Sequence, residues 1–350
     1  MIRRDSMKNW QKYIGSDDDI VISSRIRIAR NISAKPFPHR LSDDDARKTT
    51  EHVENSFYIS THMKENYKTI QLWQIDDNES FNYLERHLIS PKLVNNKSRA
   101  AFILSRDETV SIMMNEEDHI RLQCITGGLN LKETYGIADK LDNLLEESIK
   151  YAFDERLGYI TACPTNIGTG LRASVMLHLP ALTMNDEMNG ILKALTQVGM
   201  TIRGLYGEGS KAQGNIYQIS NQVTLGVTEE DILNNLEAVI NQIINQENRT
   251  REQLLKNYRY ELEDKIFRSL GILETAILLN SNECMDLLSN VRMGVEMGII
   301  KSVSKNRLNE LLVETQPASM QAKLKKTMSD RERDLNRAKL VKETLTEIME

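Results

Sequence analysis

A chain of 350 residues, 40% hydrophobic and 27% charged, can bury one large core or two ordinary ones, as soluble globular proteins do. Its net charge of −5 argues against general nucleic-acid or membrane-surface binding and leaves room for a local basic site. Cys124, Cys163 and Cys284 stand far apart, without metal-ligand spacing or a disulfide framework, so a reducing compartment and no metal site are expected. With no apolar leader and no apolar run of about 18 residues, the expected location is cytoplasmic, with no membrane partner.

Residues 1–19 are polar and close on Asp17-Asp18-Asp19, which predicts an arm. Residues 20–30 read as a strand whose second half alternates, Ile26 and Ile28 against Arg25 and Arg27. Taken alone, two arginines on one face suit a solvent-exposed edge strand. Pro36 and Pro38 break the chain before Ser42-Asp43-Asp44-Asp45 opens a helix to about residue 60. A strand at 69–73 precedes a short helix at 79–88, where His87 is either a satisfied polar group or a nucleotide contact. Residues 100–104 and 110–114 form a hairpin. The second strand runs into Asn115-Glu116-Glu117-Asp118-His119 and then a strand at 120–124; acids and a histidine there must be solvated, paired or functional.

An amphipathic helix at 130–151 leads through 158–162 into Cys163-Pro164-Thr165-Asn166-Ile167-Gly168-Thr169-Gly170-Leu171-Arg172, a turn-rich loop opening onto a strand at 173–177. A helix at 185–198, a strand at 201–206, a glycine-rich loop at 207–214 centred on Glu208, and strands at 216–220 and 222–226 follow. From Thr228 the pattern is helical, at 228–265, 272–280, 283–297, 304–314 and 329–349. The fold class expected is α+β, a largely antiparallel sheet flanked by helices over 20–250 and an all-helical domain over 251–350.

Arg25, Arg27, Arg121, Arg172 and Arg203 fall where strands begin or end, and arginine forks match phosphate oxygens bidentately. Two acidic loops suit an acceptor that is cationic or must lose a proton, and a guanidinium is both. Phosphoryl transfer asks mainly for positioning and charge stabilisation, which such a set can supply.

The acidic motif at 115–119 and Cys163-Pro164-Thr165-Asn166-Ile167-Gly168-Thr169 together resemble the phosphagen (guanidino) kinase family. Ser23-Ser24-Arg25-Ile26-Arg27 is similar to its first nucleotide-binding strand, and Arg203-Gly204 followed by Glu208 to its specificity loop. The resemblance implies ATP with Mg2+ as cofactors, and nucleotide binding by Ser24, Arg25, Arg27, His87, Arg121, Arg172 and Arg203. It implies Glu117 as catalytic base, Glu208 as the second guanidinium-orienting carboxylate, and Cys163 beside the guanidinium. A cage of arginines would lower that thiol's pKa and make it reactive.

The chain departs from small-molecule members of the family in lacking their N-terminal helical domain, in its helical C-terminal part and in its shorter loop at Tyr206–Ser210. These departures resemble the bacterial protein-arginine kinases of the same family, as do Leu262-Glu263-Asp264-Lys265-Ile266-Phe267-Arg268-Ser269 and Arg333-Asp334-Leu335-Asn336-Arg337-Ala338. That resemblance implies arginine-containing protein substrates and a phosphoarginine-binding allosteric pocket at Arg333, Asp334, Arg337 and Ala338. It further implies a homodimer in bacterial stress response and protein quality control, with a heat-shock repressor, a Clp-type unfoldase and a zinc-containing activator as partners. A free-arginine kinase and a phosphoarginine-binding adaptor with a vestigial kinase site are the alternatives.

Overall fold

The computed structural model describes residue 10 and residues 20–204 and 212–346. The predicted arm, apart from the buried Trp10, and Glu208 with the rest of residues 205–211 therefore lie outside the described residues. The strands are β1 (Val21–Arg30), β2 (Tyr67–Gln71), β3 (Ala101–Ser105), β4 (Val110–Met114), β5 (Ile120–Gly127), β6 (Phe153–Asp154), β7 (Gly158–Tyr159), β8 (Leu171–His178), β9 (Met200–Arg203) and β10 (Ile216–Asn221). The helices are α1 (Asp43–Phe57), α2 (Thr61–Asn66), α3 (Asp77–Glu85), α4 (Pro91–Asn95), α5 (Leu131–Glu146), α6 (Pro180–Met184) and α7 (Met188–Gln197). Then come α8 (Glu229–Asn257), α9 (Arg259–Thr275), α10 (Ser281–Glu296), α11 (Lys305–Glu314), α12 (Pro317–Leu324) and α13 (Asp330–Thr346).

Eight strands form an antiparallel sheet in the order β2-β3-β4-β5-β1-β8-β10-β9, and β6 and β7 make a separate hairpin. The α+β class is as expected, but β1 is not an edge. It lies between β5 and β8, with Arg25 opposite Ile125 and Arg27 opposite Gln123 in the β1–β5 register. Its two arginines thus stand on the face of a central strand, where burial makes their charges costly unless they meet an anion.

Residues 222–226, expected as a strand, are irregular. Their polar groups go elsewhere: the Thr224 hydroxyl donates to the carbonyls of Thr165 and Ile167, and its carbonyl accepts from the Thr169 amide at 3.1 Å. Helix α5 stops at Glu146, short of the expected residue 151, and the helix expected at 272–280 is instead the end of α9 followed by a break. Three short helices opened by proline, α4, α6 and α12, went unpredicted.

The chain divides into two compact units, Met1–Trp10 with Ser23–Ser174 and Ser220–Glu237, and Gln11–Ile22 with Val175–Ile219 and Ala238–Glu350. In the first, Leu72, Tyr83, Leu93, Phe102, Leu104 and Met113 join β2–β4 to α3 and α4 in one core cluster. In the second, Ile266, Leu273, Leu288, Val291, Leu311 and Val341 hold α9, α10, α11 and α13 together. Ser42 caps α1 by accepting from the Asp45 amide, as the sequence predicts.

Candidate functional site

Alternation along β1 sends Arg25 and Arg27 to one face and Ser24 to the other. Ser24 is buried; its hydroxyl donates to the Gly128 carbonyl at 2.8 Å and accepts from the Asn130 amide at 2.9 Å. It fixes the turn from β5 into α5 and is not brought together with the arginines. On the other face, Arg25 Nε donates to Ser174 Oγ at 3.4 Å, and Arg172 donates to Ser220 Oγ through Nε and Nη2 at 3.3 and 3.2 Å. Arg121 Nη1 donates to both Glu116 oxygens, at 2.8 and 2.5 Å.

Arg27 shows what this grouping means electrically. Its Nε is buried without a hydrogen-bond partner. Burial drives its guanidinium well below the ordinary arginine pKa; Arg25, Arg121 and Arg172 push the same way, and Glu116 opposes them. Three guanidiniums and one carboxylate thus act on Arg27, and that carboxylate is hydrogen-bonded to Arg121. Glu116 itself is buried, yet Arg121 and the Ser90 hydroxyl outweigh that desolvation and hold its pKa below the usual value. The clustered positive charge and the orphaned Arg27 donor fit a polyanion.

His87 ends the α3 turn at φ +60, buried, with its ring 5.7 Å from that of Trp10. Burial, helped by Arg25, lowers its pKa to about 3, so the ring is neutral at pH 7. Its carbonyl accepts from Gln123 Nε2 at 2.8 Å. Arg203 ends β9, half-buried, in the second unit, and Glu208 lies outside the described residues.

The acidic turn between β4 and β5 separates its side chains by role. Asn115 (φ +59) is buried and donates to the Ala46 carbonyl at 2.8 Å and Thr50 Oγ1 at 3.1 Å. His119 is enclosed, Nδ1 accepting from the Ile32 amide at 3.2 Å and Nε2 facing the Pro36 carbonyl at 2.9 Å. Asp118 is buried and accepts from Asn31 Nδ2 at 2.6 Å and from the Ala162 amide at 2.7 Å. Glu117 stays half-exposed, its carboxylate paired with Lys92 Nζ at 2.9 Å. Asn115, Asp118 and His119 build the turn, Glu116 meets Arg121, and the Glu117 carboxylate is left partly exposed.

The bond from Ala162 to Asp118 ties the acidic turn to the loop of Cys163, one residue on. Cys163 is half-exposed, with Sγ 3.1 Å from Thr165 Oγ1. Gly168 (φ +111) lies so close to Thr224 and Leu225 that a β-carbon would strike their backbone. Arg30, unremarked in the sequence, anchors the same loop: Nη1 donates to the Thr169 carbonyl at 2.9 Å, Nη2 pairs with Asp142 at 2.6 Å, and the guanidinium lies 3.4 Å over the Tyr159 ring. Parity was the available signal, since residue 30 falls on the opposite face of β1 from residues 25 and 27. Glu116, Ser90 and Lys92 were also missed.

On α13, Arg333 pairs with Asp330 and donates through Nη1 to the Met328 carbonyl at 3.3 Å. Arg337 is 1% exposed; Nε donates to the Thr315 carbonyl at 2.7 Å, and Nη1 to the Leu279 carbonyl at 2.7 Å and Asp334 Oδ1 at 2.6 Å. Ala338 belongs to the helical core. Arg333 and Asp334 therefore carry the solvent side of this motif. Among the described residues no helix is long and apolar enough to cross a membrane.

Residues 48–250 match the ATP:guanido phosphotransferase family, C-terminal catalytic domain, and residues 259–350 match the protein-arginine kinase McsB C-terminal domain. The chain is 61% identical over 340 residues to the protein-arginine kinase of Clostridium kluyveri, covering 97% of this chain and 99% of that one. It is 49% identical to that of Brevibacillus brevis, over 96% and 95% of the two chains. Among solved structures, lombricine kinase superposes with a TM-score of 0.58 at 26% identity, over 73% of each chain. A substrate-free duplicated taurocyamine kinase from Schistosoma mansoni shares the fold (TM-score 0.56, 23% identity) over 70% of this chain, which spans 37% of that longer protein.

Proposed function

The chain belongs to the ATP:guanido phosphotransferase family and, within it, to the protein-arginine kinases, and from that premise we propose that it phosphorylates arginine side chains of proteins. The observation that carries the reading is a partition of charge: Arg25, Arg121 and Arg172 crowd the buried Arg27 guanidinium with Glu116 opposing them, while the neighbouring Glu117 carboxylate stays partly exposed.

In this mechanism Arg25, Arg27, Arg121 and Arg172 take the phosphate oxygens of ATP, and Arg203 joins them on the strength of the family resemblance. Arg27 gains the partner its buried Nε lacks. The neutral His87 ring suits contact with the uncharged base. An acceptor arginine replaces Lys92 at Glu117, which holds the guanidinium in line and takes its proton as the N–P bond forms. The γ-phosphoryl–oxygen bond breaks in the same step, and ADP leaves with the electron pair. Cys163 sits beside the guanidinium, and Glu208 serves as the second orienting carboxylate, again by resemblance.

Glu116 is engaged by Arg121 and Ser90, so among the described residues the arginine face offers no ready carboxylate to a hard cation. Mg2+ would enter on the nucleotide, held by phosphates and water, and would neutralise charge there. We further assign residues 20–250 to catalysis and residues 251–350 to phosphoarginine binding, dimerisation or substrate docking. Arg333 and Asp334 form the outer part of the phosphoarginine pocket, with Arg337 and Ala338 behind them. A cytoplasmic role in stress response and protein quality control, with a heat-shock repressor, a Clp-type unfoldase and a zinc-containing activator, belongs to the same reading. So does a homodimer.

The test is one incubation with γ-labelled ATP, offering a protein acceptor and free L-arginine in parallel. Acid-labile label on protein arginines is expected. Comparable turnover of free arginine would favour a phosphagen kinase instead, and no transfer to either would end the proposal.

A further inference from the structure

Next to the Cys163 loop stands a small surface that the transfer chemistry does not use. The hairpin of β6 and β7 exposes two large apolar side chains, Phe153 at 58% and Leu157 at 46%, and Leu225 is 50% exposed. Folding has not placed them there by default. The turn is stiffened by Asp154 Oδ1, which accepts from the Arg156 and Leu157 amides at 2.9 and 3.0 Å. The Tyr159 and Gly168 backbones bridge, and a β-carbon on Gly158 would meet the Gly168 carbonyl, just as one on Gly168 would meet Leu225. The two glycines thus bring the hairpin, the Cys163 loop and Leu225 into one stack.

This stack is continuous with the candidate site. The Ile160 amide donates to the Ala152 carbonyl at 2.9 Å across the hairpin base, and Ala162 donates to Asp118, the neighbour of Glu117. Ile160 is three residues from Cys163, a span of at most ~10 Å in extended chain. The turn carries a net negative charge: Asp154 and Glu155 are exposed on it beside one exposed arginine, Arg156. Burial raises the Tyr159 hydroxyl pKa, Arg30 opposes, and the Glu146, Asp142 and Glu229 carboxylates raise it further.

We propose that this hairpin surface docks the extended polypeptide that carries the acceptor arginine, binding apolar residues about three or four positions from the target and favouring basic segments. The proposal rests on the protein-arginine kinase reading and deepens it. An extended segment advances ~3.3 Å per residue, so three or four residues cover the distance from Cys163 to the hairpin. Apolar side chains flanking the arginine would bury against Phe153 and Leu157. The two carboxylates of the turn, set against the single Arg156 guanidinium, favour basic segments.

The test uses the full-length enzyme, Mg-ATP and two peptides that share a central arginine, one with leucines three and four residues away and one with serines there. Wild-type enzyme is expected to prefer the leucine peptide by about tenfold in kcat/KM, the scale of one or two partly buried apolar side chains. The Phe153→Ser/Leu157→Ser double variant is expected to remove that preference while keeping ATP affinity and the rate on the serine peptide. A preference unchanged in the variant, or absent in wild type that phosphorylates both peptides, overturns the docking surface. Failure of the wild type to phosphorylate either peptide or a protein acceptor would instead overturn the kinase reading.

Discussion

Replacing Glu116 by Gln removes the carboxylate that pairs with Arg121 on the arginine face. The Glu116 side chain is fully enclosed and Arg121 is 16% exposed, so the substitution strands a nearly buried guanidinium beside three others. Breaking a buried ion pair by removing one partner costs about 3–5 kcal/mol, and the small exposure of Arg121 points to the lower end, about 3 kcal/mol. With an unfolding entropy of about 2.1 cal/mol/K per residue, a chain of 350 residues carries ~0.7 kcal/mol/K. The melting temperature should then fall by about 4 °C. Saturating Mg-ATP gives Arg121 a new anion, so the deficit relative to wild type should shrink to about 2 °C or less, beyond the stabilisation that ligand brings to both proteins. Differential scanning fluorimetry with and without nucleotide reads both numbers. An equal deficit in the two conditions, or none without nucleotide, would refute the claim that these guanidiniums await a polyanion.

Glu296 anchors a second buried network, pairing with Arg292 Nε at 2.7 Å and Arg251 Nη1 at 3.0 Å, with His178 Nδ1 at 3.5 Å. Glu296→Gln should cost about 3 kcal/mol in urea unfolding, because the enclosed Arg292 loses this counter-charge while Arg251 keeps its pairing with Glu247 at 2.7 Å; a loss under about 1 kcal/mol would contradict the pairing. Burial lowers the pKa of His87 to about 3 and of His119 and His178 to about 4. The unfolded chain therefore binds protons below about pH 6.5 that the folded one refuses, so their stabilisation is complete above that pH and is lost as pH falls toward 4. Each histidine should contribute a slope of about 1.4 kcal/mol per pH unit in that window, and flat stability from pH 7 to 5 would rule this out. Alkylation of Cys163 should abolish transfer and bound ATP should protect; full activity after confirmed modification would remove the thiol from the site.

Much of the fold could be read from local pattern. Strand alternation placed Arg25 and Arg27 on one face, and the Ser42 cap fixed the start of α1. What failed were properties set by distant partners. Whether β1 is edge or centre depends on β5 and β8, which are both remote in sequence, so its arginines were open to the wrong environment. Residues 222–226 carry a strand-like composition, but the loop at 163–169 claims their polar groups. In the acidic turn the residue types were informative and their division was not. Tertiary contacts alone decide that Glu116 meets Arg121, that Asp118 meets Ala162, and that Glu117 is presented. Arg30 escaped notice for the same reason, since its partners Asp142, Thr169 and Tyr159 are all remote in sequence.

The most direct measurement takes the Glu117→Gln enzyme, determines its ATP affinity, and follows label transfer from γ-labelled ATP to a protein acceptor at saturating nucleotide. Removing a general base costs about 10²–10⁴ in rate, so transfer should fall by at least about a hundredfold while ATP affinity stays within about threefold. Transfer at the wild-type rate with nucleotide bound as tightly would show that Glu117 does not receive the acceptor's proton.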